Sequence, residues 1–521
     1  MYRAITVLLV FLLLVPAVAW GLEVRYTVKG GVADTFNPFS MTYAGNKILV
    51  TGTYTRYSAN KAETLLAVIE TTPDGRNFNG KLLSFSLNGS QLNLYPPGGN
   101  SFVIGSDDGY YILTATNGGN LLVVKTDKEL NVRWGEELEL IKEGNYGGHR
   151  DIIPQNAVLD DGNLYIVAIT KMLGSSGAKN TVILKVSPEG NVLWVKVLTI
   201  GNLGLIPSDM VIVGDKIYLI GTSARTVFGG ARLILVELLT NGTLLGAFSY
   251  TTSEMLSAKE IISTGDGFYV LGLFQENDRR YPAILKLDED GNVIWAKRVN
   301  LAGMVSNWLV TADGSLYLSG VGSGRWGAGE MDKNVMVLKL DPAGNVLRGV
   351  AYRLNSLSGL KLLGLGFDSG IYGAVRFYGQ RSIVVFSLQA DMNEPCWDEI
   401  KAKTVTLNVE SSRVQEKNLL VYIPKTRVYR GVELEISQAN LSAEVLCPSG
   451  ETSSPTETTA SSASSETTST SSETPVKTEK PVKTSTEEKK PSSASNSKSG
   501  GICGPGIVLG LALLPAFIRR R

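Results

Sequence analysis

One histidine and three cysteines in 521 residues leave this chain almost without the side chains on which most metal sites and nucleophilic catalysts depend. Charge of one sign is lacking too. Fifty basic residues stand against 49 acidic ones, so the net charge of +1 gives no whole-molecule attraction to nucleic acid or to anionic lipid, and nucleic acid is not expected as a partner. No phosphate-cradling loop, zinc spacing or cofactor signature occurs, and no cofactor is expected. The stretch Asp288-Glu289-Asp290-Gly291-Asn292 opens like a calcium loop. The chain then runs directly into VIWAKRV, with Val299 where such a loop needs its twelfth-position acid. A type I turn with Gly291 at positive φ is the reading that fits, and no metal ligand is assigned.

What the chain has in quantity is glycine, 56 residues, and a repeated pattern. Ala283 to Val299, AILKLDEDGNVIWAKRV, alternates apolar residues, makes a tight polar turn and resumes as a strand carrying Trp295. The same shape recurs from Thr181 to Val197, from Val335 to Ala351 and from Leu121 to Glu137. Aligning the turns places Gly75, Leu130, Gly190, Gly242, Gly291, Gly344 and Met392 in one register, at a spacing of about 50 residues. Each unit also holds an earlier hairpin with a short polar turn, such as Asp160-Asp161-Gly162 or Ala312-Asp313-Gly314, and a period-2 strand such as NLYIVAIT or SLYLSGVG. Four short strands per unit cannot bury both faces alone, so neighbouring units must cover them. The expected fold is all-β, a seven-bladed β-propeller over residues 20–397. LEVRYTVKGG, from Leu22 to Gly31, has no unit of its own and is expected to complete the seventh blade. Trp134, Trp194 and Trp295 share one repeat position, which assigns them to packing between blades.

The two ends differ from the repeat. Residues 1–19 read as a signal peptide: one Arg, an apolar run too short to span a bilayer, and Ala17-Val18-Ala19 as a cleavage site. That places the body outside the cytoplasm, where the sequons at Asn88, Asn241 and Asn440 are candidate glycosylation sites. Residues 398–447 are extended but not repetitive, and are expected to form a small β appendage or a strap. Cys396 and Cys447 bracket them as disulfide partners. Residues 448–499 are Ser, Thr, Glu, Lys and Pro, a disordered stalk. Residues 500–521 run Cys503-Gly504-Pro505-Gly506, then apolar residues, then three arginines. This tail resembles the Cys-Gly-Pro carboxy-terminal sorting segment (CGP-CTERM) of cell-surface proteins in heat-loving archaea. The repeats resemble secreted propeller proteins with KLDxxGNVxW blades, although no Ala-x-Asp-x-x-Thr-Gly quinoprotein signature is present. The resemblance implies membrane attachment through the tail at the extracellular face of the cell, with Cys503 as a lipid or anchor site. It implies no reaction.

Antiparallel order puts both short hairpins of every unit on one face and the long, irregular connections on the other. Variable loops on a rigid scaffold are where binding sits. Tyr146, His149, Arg150, Arg225, Arg279, Arg280, Arg325, Trp326, Tyr378 and Arg381, together with Arg56 and Tyr57, would project from that second face. Two function classes stay open. One is a binding or interaction module for a glycan, peptide or envelope component. The other is a propeller enzyme such as a glycan lyase or hydrolase. No residue is assigned a catalytic role, and His149 without a recognisable nucleophile is read as a surface or ligand-contacting residue.

Overall fold

A computed structural model of the chain describes residues 23–446, apart from 31–33, 45–46, 59–60, 74–76, 95–100, 142–150, 171–178, 202–203, 224–230, 323–333, 355–359, 369, 378–379, 395 and 416–418. Every regular element among the described residues is a β-strand, and the strands form seven antiparallel sheets arranged as the blades of a propeller. Blades 1 to 6 follow chain order. Blade 5, for example, runs Met255–Thr264, Gly267–Glu276, Arg279–Leu287 and Val293–Val299 from the innermost strand outward. Blade 7 takes Leu360–Phe367, Gly370–Phe377 and Ser382–Gln389 from one end of the repeat region, and its fourth strand, Glu23–Val28, from the other.

Period-2 alternation explains why these segments form blades. In Arg279–Leu287, Ala283, Leu285 and Leu287 enter the core shared with blade 4, while Ile284 enters the core shared with blade 6. Both faces are therefore apolar, and a blade is stable only between two others. The turn read as a calcium-loop look-alike is a hairpin turn. Gly291 N–H donates to Asp288 O at 3.1 Å, and the Asp288 carboxylate accepts from Asn292 N at 2.7 Å and Asn292 Nδ2 at 3.0 Å, leaving no open cage. Leu130, Gly190, Gly242, Gly291, Gly344 and Met392 all take positive φ, so the register read from sequence holds even where glycine is replaced; Gly75 lies outside the described residues.

The tryptophans do pack between blades. Trp134 Nε1 donates to Pro188 O at 2.7 Å and Trp194 Nε1 to Thr240 O at 3.2 Å, in each case the turn of the following blade. Tyr250 does the same to Gly291 O at 2.6 Å, Lys297 to Ala343 O at 2.6 Å and Arg348 to Asp391 O at 2.9 Å. A Cβ at Gly190, Gly242 or Gly344 would lie 2.9, 3.1 or 2.6 Å from the facing indole. The glycine thus allows the turn conformation and the indole's close approach at once.

Ring closure uses both ends of the described chain. Glu23–Val28 pairs with Ser382–Gln389, and Tyr26, fully buried, shares a hydrogen bond with Thr71 of blade 1 at 2.7 Å. The segment from 398 onward takes the strap form, laid round the rim. Asp398–Glu399, Thr404–Thr406, Glu410–Arg413, Leu419–Tyr422, Lys425–Arg430, Val432–Gln438 and Leu441–Val445 add a fifth strand to blades 6, 5, 4, 3, 2, 1 and 7 in that order. It travels once round the propeller against the direction of the blades and ends beside Glu23–Val28. Leu419, Val432 and Leu441 point into the inter-blade cores, and Gly80 and Gly135 leave room for Leu441 and Val432, where a Cβ would come within 2.6 and 2.7 Å. Where strap and blade 7 meet, the buried Glu23 side chain accepts from Trp397 Nε1 at 2.5 Å, and Leu446 N donates to Glu23 O at 2.8 Å. Cys396, next to that tryptophan, is disulfide-bonded.

Gly344→Ala and Gly314→Ala separate the two duties of a turn glycine. Both positions have positive φ, at 75° and 67°, but nothing lies within 4 Å of a Cβ at Gly314. Gly314→Ala should cost about 1 kcal/mol in chemical denaturation, and Gly344→Ala, which also drives into Trp295, about 2–4 kcal/mol. Equal losses would show that the indole contact contributes nothing.

Candidate functional site

The innermost strands surround the propeller axis, and most are bulged near the same point. Register shifts fall between Pro38 and Ser40, Pro154 and Asn156, Pro207 and Asp209, Ala258 and Glu260, Val305 and Trp308, and Leu362 and Gly364. A bulge turns one residue out of the sheet and re-aims the next. In blades 3, 4 and 5 the next residue is Asn156, Asp209 and Glu260, and each reaches the following blade. Asn156 Nδ2 donates to Asp209 Oδ1; Asp209 Oδ2 accepts from Ile261 N at 2.9 Å; Glu260 Oε2 accepts from Leu309 N at 2.6 Å. These carboxyls are employed in joining blades. Burial pushes Asp209 up to about 7 and Glu260 well above the usual carboxylate range, the neighbouring Asp209 adding to the second effect.

The bulge residue of blade 5 is Lys259. It is exposed to solvent on the innermost strand, with protein close about it. Lys361, on the innermost strand of blade 7, pairs in register with Arg376. Burial, and then nearby positive charge, depresses both lysines: Lys259 feels Arg280, and Lys361, brought down to about 8, feels Arg376 and Lys259. Arg376 Nη1 donates to Pro38 O at 3.1 Å, and its guanidinium lies 5.9 Å from the Phe39 ring centre. Arg280 Nε donates to Gln275 Oε1 at 3.2 Å. Lys361, Arg376 and Arg280 lie at the ends of their strands nearer the long connections, and Lys259 near the middle of its strand.

Of the residues assigned to that face from sequence, Arg56, Tyr57, Arg279, Arg280 and Arg381 are described. Arg279 is exposed at the strand end on that face, Arg280 contributes to the cationic group, and Arg381 lies within electrostatic reach of Tyr54. Tyr146, His149, Arg150, Arg225, Arg325, Trp326 and Tyr378 lie outside the described residues. Lys259, Lys361 and Arg376 were not assigned. The only trace of Lys259 in the sequence is the adjacent charged pair Lys259-Glu260 inside an otherwise apolar strand.

The opposite mouth is built from the short hairpin turns and carries Asp107, Asp108, Asp160, Asp161, Asp215, Asp266, Asp313 and Asp368. A groove of about 1150 Å³ crosses blades 1 to 3 there, lined by Tyr43, Tyr110, Asp107, Asp108, Lys128 and Glu129 among others. Several of its polar groups are already engaged. Asp108 takes Lys125 Nζ and Arg133 Nη1, both at 2.5 Å, and Tyr43 donates to Asp368 at 3.0 Å. The channel lysines are the less satisfied group.

These shifts fix the dependence of stability on pH. Glu23, pushed up to about 7 chiefly by burial, and Asp209 keep their protons in the fold at pH values where the unfolded chain, with ordinary values of 4.5 and 3.8, has lost them. The folded state then binds more protons, so stability falls as pH rises from about 4 through 7. Lys361 and Lys259 act oppositely. Above about pH 8 the unfolded chain holds the additional protons, and stability recovers toward pH 10. Denaturation midpoints should pass through a minimum between pH 7 and 8, and Asp209→Asn should remove roughly 4 kcal/mol of the acid-side fall. A monotonic rise from pH 5 to 8 would contradict the assignment.

No protein-family model matches the chain, and no curated protein matches it. Among solved structures the chain is similar to the β-1,2-mannobiose phosphorylase from Listeria innocua in complex with β-1,2-mannobiose, at 11% identity and a TM-score of 0.31, over 71% of this chain and 97% of that one. A likeness of that degree carries no argument about activity. The chain's own strand order makes it a seven-bladed β-propeller.

Proposed function

We propose that this protein is an extracytoplasmic binding module, held at the cell surface by its carboxy-terminal segment and taking its ligand at the channel mouth on the face of the long connections. The observation that carries the reading is a group of like charges within electrostatic reach of one another, Lys259 with Arg280 and Lys361 with Arg376 and Lys259, in a chain whose overall charges balance. Binding is favoured over catalysis because the buried Asp209 and the half-buried Glu260, on innermost strands, are committed to backbone N–H groups of neighbouring blades. The ligand is a glycan, peptide or envelope component presented outside the cell. Exposed Asn88, Asn241 and Asn440 suit glycosylation in that setting. Purified envelope material should bind the protein, and joint replacement of Arg279, Arg280 and Arg381 by alanine should weaken binding at least tenfold with little change in melting. Asp160→Ala with Asp313→Ala, on the opposite face, should leave it intact. Binding abolished by the second pair and kept by the first set would reverse the choice of face.

Attachment follows from the tail. The Ser/Thr-rich stalk, Cys503 and the apolar run ending in Arg519, Arg520 and Arg521 support the surface anchor of the archaeal sorting segment they resemble, with lipid on Cys503. Truncation after Gly500 should move the protein from the membrane to the soluble fraction. Intact protein found soluble would overturn the anchor.

Pairing of Cys396 with Cys447 is the third element. Leu446, one residue before Cys447, packs in the same cluster as Cys396, and the bond would buckle the strap into a closed hoop round all seven blades. By the loop-length relation it would add about 4 kcal/mol. Unreduced peptide mapping should recover the 396–447 pair, and reduction should lower the melting temperature; free thiols at both positions would exclude the hoop.

A further inference from the structure

The lysines at the centre of the propeller define what the ligand must bring. We propose that the channel is an oxyanion receptor, in which Lys259 and Lys361 close on one carboxylate, sulfate or phosphate group presented by the ligand. This inference rests on the binding reading above and adds the chemical class.

The geometry carries it in three steps. Lys259 is expelled from its strand by the bulge between Ala258 and Glu260, and Lys361 lies on the innermost strand of blade 7, so both stand on the channel wall, two blades apart in the ring. The flanking arginines are fixed by Pro38 O and the Phe39 ring on one side and by Gln275 on the other, which makes the lysines the movable pair between rigid cations. Among the described residues neither lysine makes a hydrogen bond or ion pair with protein. Glu260, beside Lys259 in the chain, turns its carboxylate to Leu309 N of blade 6 instead.

Neighbouring like charges in a protein-walled channel are destabilising, and they add to the burial that chiefly depresses both lysines. A cationic ligand would raise that repulsion. A neutral ligand would leave it. A ligand-borne oxyanion with at least two acceptor oxygens relieves it by charge-assisted hydrogen bonds to both ammonium groups. Inorganic sulfate or phosphate and the carboxylate of an acidic sugar share this chemistry, and the test separates them.

The full-length protein, solubilised from membranes, is titrated with sulfate, phosphate and galacturonate against galactose, with chloride holding ionic strength constant. Melting temperature and calorimetric heats are read. Oxyanions should raise the melting temperature by several degrees over matched chloride, and galactose should not. Galacturonate exceeding sulfate and phosphate would identify an acidic sugar as the source, and the reverse order a simple phosphate or sulfate group. Lys259→Met and Lys361→Met should each weaken oxyanion binding at least tenfold, while melting no lower than the parent without anion, because each removes one of the repelling charges. A Lys259→Arg variant, which keeps the charge, should retain binding within a fewfold. No anion-specific shift, or one that survives both methionine variants, would overturn the inference. Envelope material that binds undiminished in the methionine variants, with no competition from oxyanions, would overturn it while leaving the binding module standing.

Discussion

A hydrogen-bond donor from the outer part of nearly every blade enters the second hairpin turn of the next, and the ring depends on that contact. Trp134, Trp194, Tyr250, Lys297 and Arg348 are chemically different, yet each donates to a carbonyl of the following turn. The carbonyls belong to short turns whose own N–H groups close the hairpin, so they have capacity to accept. The donors belong to strands whose apolar faces are fixed in the shared cores. Hydrophobic burial brings blades together, and these contacts set their angular relation. The same logic recurs inside, where Asn156, Asp209 and Glu260 hand one polar contact from blade to blade.

A closed ring of blades still leaves an unpaired outer strand on each, and seven exposed edges would template association with other chains. The strap covers them and leaves in their place the short edges of its own segments. It also explains the weak periodicity of residues 398–445. Each fifth strand covers only part of the fourth and buries one or two side chains, such as Leu419, Val432 or Leu441, while its remaining residues face solvent. Because the strap ends beside Glu23–Val28, closure joins the first and last described strands in a single sheet.

The two ends of the channel differ in charge although the chain as a whole balances. Short hairpins favour Asp for its ability to cap a turn, so repetition alone makes one mouth acidic. Nothing in the repeat demands lysine on an innermost strand. Lys259 departs from a bulge position that blades 3, 4 and 7 fill with Gln155, Ser208 and Leu363, and a departure from the rule of the repeat, at a point where it costs stability, is where function is to be sought.

The sequence by itself determined the blade. Period-2 alternation, the turn register running from Leu130 to Met392 and the recurrence of tryptophan follow from local φ preferences and from the need to bury two faces, and both are written in neighbouring residues. It also showed that LEVRYTVKGG lacked a partner, since a strand without a unit must join another. It assigned Arg279, Arg280 and Arg381 to the face of long connections, because antiparallel order alone decides which loops share a side. Only the tertiary structure decided the course of the strap, whose partners lie up to several hundred residues away and leave no period in the chain. Only the tertiary structure, too, put Lys259 and Lys361, from different blades, within electrostatic reach of each other. Their meeting depends on bulges on separate strands and on the closing of the ring, and charge proximity across a channel is a property of the closed ring alone.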